Sequence, residues 1–177
     1  MLYCFGFETI AVVASDVYFF DGDAPSDQQG AERGVRLEVR KLELGEPVGS
    51  IFSAQPVRLG APVWRADLFE TVDGTIGSFD RTHHHPRFTG WEPQDRVFDP
   101  ELSRRPLEFV GERLADVDGI LETAGFGPSA PGEAEEIRRA VPEIVSAVGH
   151  MLERVRAGEL GRPPAEAPVA TTRLGWL

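Results

Sequence analysis

The chain has 177 residues, 41% of them hydrophobic and 27% charged. That is the size and composition of one ordinary globular domain, and it excludes a wholly disordered, fibrous or membrane-spanning chain. Net charge is −11, which repels phosphate backbones and anionic lipid, so neither nucleic acid nor a membrane is expected as a partner.

The first residues lack a cationic start and carry Glu8 within an apolar run, a poor secretory signal. The single cysteine, Cys4, cannot form an internal disulfide. A cytoplasmic protein is expected. Arginine makes up 17 of the 18 basic residues, alongside abundant Ala, Gly and Pro, a usage typical of a GC-rich bacterial genome.

In chain order, residues 2–20 are rich in aromatic and β-branched side chains, with Tyr3, Phe5, Phe7 and Thr9 alternating as a strand requires. Residues 21–34 are polar and glycine-rich and are expected to form a mobile loop. From Val35 to Leu44, Val35, Leu37 and Val39 alternate with Arg36, Glu38 and Arg40, one dry and one wet face. A phase shift at Lys41–Leu42 allows a bulge. Ile51–Leu59 reads as extended, with an edge or bend at Pro56. Val63–Val72 and Thr75–His85 read as strands joined by the favoured turn pair Asp73-Gly74. Residues 86–106, with four prolines, read as a structured loop sealed by Trp91 and Phe98.

The period then changes. Leu107, Val110, Leu114, Val117, Leu121 and Ala124 form one helical stripe ending at Gly125. A second helix is expected over about Glu133–Ala157, with an acidic first turn, a basic last turn and a kink or restart at Pro142. Residues 161–177 are expected to form a loose tail, with Leu174, Trp176 and Leu177 available to dock. Strands first and helices last predict an α+β fold: an antiparallel sheet of roughly five strands, with two C-terminal antiparallel helices packed on one face. Residues 1–160 make the single domain.

Three of the four histidines are consecutive, His83, His84 and His85, followed by Pro86. In a strand, His83 and His85 project to one side and His84 to the other. Register decides what they meet. With a two-residue turn, His83 opposes Trp64 and both imidazoles join the core. With a one-residue bulge, Arg65 opposes His83 and Asp67 opposes Arg81, and the imidazoles share a polar face with Arg65, Asp67 and Arg81. The second register is preferred because it gathers Arg and His together.

Three chemistries fit such a cluster. His83, His85 and Asp67 (or Glu70) form a 2-His-1-carboxylate set for iron(II) or zinc. Without metal, a histidine oriented by Asp67 acts as acid or base, while Arg65 or Arg81 holds an anionic substrate. In the plainest alternative the histidines are half-buried strand residues. Gly77 followed by His83-x-His85 resembles the opening of the first cupin motif, but the glutamate and the further histidine of that family are missing, so no family is claimed. Cys4 reads as a small buried hydrophobe and His150 as a partly buried packing residue.

The favoured expectation is a protein that binds a small polar or anionic molecule on the sheet, with catalysis or metal binding at His83, His85 and Asp67. The rival is a non-enzymatic acidic protein, of neutraliser or immunity type, for a basic partner. A homodimer is the other association considered.

Overall fold

A computed structural model describes residues 1–20 and 30–163. Nine of the residues in the predicted 21–34 loop, and most of the predicted 161–177 tail with Leu174, Trp176 and Leu177, lie outside the described residues. Residues 31–34 do not belong to a loop, because the strand that follows begins at Ala31.

Five strands make one antiparallel sheet in chain order: β1 (Leu2–Gly6), β2 (Ile10–Phe20), β3 (Ala31–Leu44), β4 (Val57–Thr71) and β5 (His83–His85). The alternation in β3 sorts as its sequence demands. Val35, Leu37 and Val39 are fully buried, beside Ile10, Val12 and Ala14 of β2 and Trp64, Ala66 and Leu68 of β4 in the hydrophobic core. The ladder between β3 and β4 slips around Arg40–Leu42, where the phase shift predicts a bulge. The extended stretch expected from Ile51 is absent. Residues 51–53 form a turn with Ile51 and Phe52 more than 90% exposed, and β4 starts only after Pro56.

The Asp73-Gly74 hairpin is also corrected. Only His83–His85 of the predicted Thr75–His85 strand pairs with β4, and residues 72–82 form a long connection. Gly77 and Phe79 both sit at positive φ, which no ladder accepts. Asp80 and Glu70 satisfy the connection's polar groups instead. Asp80 accepts from the Thr71 amide and hydroxyl and from the Ser78 hydroxyl, while Glu70 accepts from the Gly77 amide.

A two-strand ribbon, β6 (Phe88–Thr89) with β7 (Glu92–Pro93), follows β5. Trp91 and Phe98 are 63% and 53% exposed, so neither seals this segment against the core. The expected single helix is broken. After the short α1 (Pro100–Arg104) come α2 (Pro106–Ala115) and α3 (Val117–Thr123). Asp116 leaves helical geometry between them and its side chain caps α3 through the Gly119 amide. The apolar stripe survives the break, with Val110, Leu114, Val117 and Leu121 all buried. The last helix, α4 (Glu133–Arg156), runs through Pro142 without a restart. Its Ile137, Ile144, Val148, Met151 and Val155 join the same core as the sheet. Cys4 and His150 are exposed, contrary to the sequence reading. No helix among the described residues is long and apolar enough to cross a membrane.

Candidate metal centre

The site lies on the sheet face opposite the helices. Pairing places Arg36 opposite Asp67 and Asp67 opposite His83; one pleat away, Glu38 faces Arg65 and Arg65 faces His85. The favoured register therefore had the right face and the wrong partners. His83 meets Asp67 and not Arg65, because the connection displaces β5 by two residues. His84 points the other way, toward Trp64 and Phe109, with ring centroids 6.3 and 5.6 Å away. Burial, then the Arg113 charge, pushes its ring down to about 4.

Asp67 is the hub and is 1% exposed. Its Oδ1 accepts from Arg36 Nε at 2.7 Å. Its Oδ2 lies 3.0 Å from Arg65 Nε, 3.3 Å from His83 Nε2 and 3.6 Å from His85 Nε2. The Arg65 N–H is not aimed at that oxygen, so Nε has no hydrogen-bond partner. Burial pushes the Asp67 carboxyl up, but the two imidazole contacts and the Arg36 and Arg65 charges outweigh it and hold the group well below the ordinary carboxylate range. Asp67 is an anion at any physiological pH.

The two histidines are prepared differently. His83 Nδ1 lies 2.8 Å from the Arg81 carbonyl oxygen, which can only accept, so Nδ1 carries the proton. That leaves Nε2 facing Asp67, the arrangement found when a backbone carbonyl orients a metal-bound histidine. The His85 ring is buried and neither of its nitrogens has a hydrogen-bond partner. Burial, and secondarily the Arg65 charge, lowers its pKa against the pull of Asp67, which favours the neutral ligand form.

One donor atom from each of Asp67, His83 and His85 lies within 4.8 Å of the others, and all three residues are buried. These three side chains can hold a metal ion. Bonds of 2.0–2.2 Å to a tetrahedral ion put neighbouring ligand atoms roughly 3.4 Å apart. The observed 3.3 and 3.6 Å bracket that spacing and exceed ordinary hydrogen-bond lengths. The flanking guanidiniums of Arg36 and Arg65 weaken the hold on a cation, and the buried carboxylates on the same face, Glu38 and Glu32, are themselves engaged by Arg40 and Arg81.

Of the other residues singled out from sequence, Arg65 adjoins the hub. Arg81 supplies its carbonyl to His83, while its guanidinium faces Thr71, Asp80 and Glu32. Glu70 belongs elsewhere, paired with Arg156 at 2.6 Å. Arg36, the tightest partner of Asp67, was missed, although the wet face of β3 contains it. Its placement needed the length of the 45–56 connection. The aromatic rim was missed too: Phe98 lies 5.5 Å from His83, and Phe88 lies 6.2 Å from His85 and beneath Arg65.

No family model, curated protein or solved structure matches this chain. The reading of function therefore rests on the geometry.

Proposed function

We propose that the protein binds one divalent transition-metal ion, iron(II) or zinc, through Asp67, His83 and His85, and that positions left open on the ion take a small anionic molecule. The carrying observation is the buried His85 ring, whose nitrogens lack a partner while Nε2 faces the same carboxylate oxygen as His83. A buried imidazole without a hydrogen bond is costly. A shared cation removes that cost at His85 Nε2 and joins it to His83 Nε2 and Asp67 Oδ2. Three protein ligands leave room for an exogenous oxygen or nitrogen donor, which the ion would polarise as a Lewis acid. Phe88 and Phe98 on the rim suit an organic anion, and Arg36 and Arg65 keep Asp67 ionised and oriented.

Isothermal titration of untagged, chelator-treated protein with zinc, and with iron(II) under anaerobic conditions, tests this. One ion per chain is expected, with loss of at least about tenfold in affinity in Asp67→Ala and in His83→Ala. Failure of zinc, iron(II), manganese, nickel and copper to bind or to raise thermal stability would refute the metal. A His83/His85 site working by acid–base chemistry alone would then be the better account.

A further inference from the structure

The metal centre makes no use of the arm built from the end of β3, the start of β4 and residues 45–56 between them. Neither neighbouring strand reaches this arm. The β2–β3 ladder begins with Ile10 opposite Lys41, and β5 pairs only with Arg65–Asp67. The arm nonetheless has a defined shape. Leu42 pairs with Leu59 and Leu44 with Val57. Beyond them the Gly45 amide donates to the Pro56 carbonyl at 2.8 Å, and the Ser53 amide donates to the Ser50 carbonyl at 2.9 Å, which turns the tip.

Its two faces differ in kind. Residues directly opposite in a ladder share a face, and so do residues two apart on one strand. Leu42, Leu44, Val57 and Leu59 therefore lie together on one side, while Glu43 faces Arg58 on the other. Leu44 and Val57 are 56% and 61% exposed, and the tip adds Val48 at 76% beside the still more exposed Ile51 and Phe52. Open apolar surface of this kind marks a place of association. At the root of the arm, Arg40 lies on the same side of β3 as Leu42, with its guanidinium over the exposed Trp91 ring at 5.3 Å.

Charge selects the occupant. The chain as a whole carries −11, but residues 41–58 hold Lys41 and Arg58 against Glu43 and Glu46, a balanced set. A cationic partner finds no excess of acid on the arm, and an anionic surface is repelled by the rest of the molecule. A second copy of this chain brings the same apolar face and the same balance, so two acidic chains can meet at the arms with little repulsion. We propose that the arm is the contact surface of a homodimer, in which two arms lie antiparallel, apolar face to apolar face, about a twofold axis. Ile51 and Phe52 at the tip of one copy then cover Leu42 and Trp91 at the root of the other. The contact includes none of the metal ligands and does not depend on metal.

Analytical ultracentrifugation of the whole untagged chain tests the idea, in reducing, chelator-containing buffer and from about 1 to about 100 μM, a range that spans weak and moderate dimers. The mass should rise with concentration toward twice that of the chain. Added salt should strengthen the dimer, because it screens the repulsion between two acidic molecules without weakening an apolar contact. The double variant Ile51→Ser, Phe52→Ser should weaken the dimer at least about tenfold. Leu44→Lys, which sets like charges against each other across the axis, should do the same. All these side chains are exposed, so thermal stability measured on dilute protein should hardly change. Ile76→Ser, equally exposed but in the connection at the other end of β4, should leave the dimer intact. A chain that stays monomeric throughout overturns the proposal, as does a dimer that survives both arm variants or dissociates in salt. Capture of a monomeric parent by phosphatidylcholine vesicles, lost in the double variant, also overturns it and assigns the arm to a lipid surface.

Discussion

Glu133 illustrates how a single carboxylate can be committed to structure while another, Asp67, is left for chemistry. Glu133 is almost fully buried at the start of α4 and accepts from the Thr9 amide and hydroxyl and from the Ile10 and Ala130 amides, at 2.6–3.0 Å. It thereby ties the β1–β2 turn to the last helix. Burial pushes its carboxyl up, but these donors outweigh burial and leave it below its ordinary value. A depressed carboxylate stabilises the fold above its unfolded pKa, and that contribution disappears as pH falls through the folded one. Glu133→Gln should therefore cost about 1–3 kcal/mol at pH 7. The difference from the parent should narrow as urea unfolding is repeated at progressively more acidic pH, below the ordinary glutamate value. Asp67 lacks such saturation by backbone donors. Its neighbours are side chains, two of them imidazoles that turn Nε2 toward it, and that difference separates a strut from a candidate ligand.

At the scale of elements, legibility followed periodicity. The dry and wet faces of β3 and the α4 stripe were readable because apolar spacing alone determines them. The β4–β5 connection was not, because Asp73-Gly74 is a strong local turn signal that the structure overrides by satisfying the connection's polar groups with Asp80 and Glu70. The α2–α3 break was hidden for a related reason: a side-chain cap at Asp116 interrupts the backbone without disturbing the 3–4 spacing of buried residues. The shared face of His83, His85, Arg65 and Asp67 was legible because strand parity survives a shift of two residues, whereas their partners were not. Glycine in β3 adds a constraint that the pattern does not reveal. A Cβ at Gly34 would stand 2.0 Å from the Leu68 carbonyl oxygen and 2.8 Å from the Phe69 ring. Gly34→Ala should cost about 1–3 kcal/mol in chemical denaturation, because neither the β4 backbone nor the ring beside it can withdraw freely.

For the whole molecule, a metal that binds only the folded state raises stability by mass action, about 2.7 kcal/mol at a hundredfold excess over Kd. The melting temperature should therefore rise with zinc at pH 7.5. The gain should shrink on acidification, because the ion takes only unprotonated ring nitrogens and protons compete for them while Asp67 stays ionised; burial lowers the His85 pKa, so its share of the loss comes below the ordinary histidine value. A gain that persisted to pH 4 would place the ion elsewhere. The net charge of −11 does not choose among partners, since it serves dispersion in water as well as attraction to a cationic protein.

The three-residue β5 has a consequence for how such a chain can vary over generations. Surface connections generally tolerate added or lost residues. The one preceding β5 should accept them freely only in pairs or where the loop absorbs them, because one extra codon carried through into the ladder would turn His84 toward Asp67 and bury its two neighbours beneath the helices. The candidate metal centre would be dismantled by a change that substitutes none of its residues.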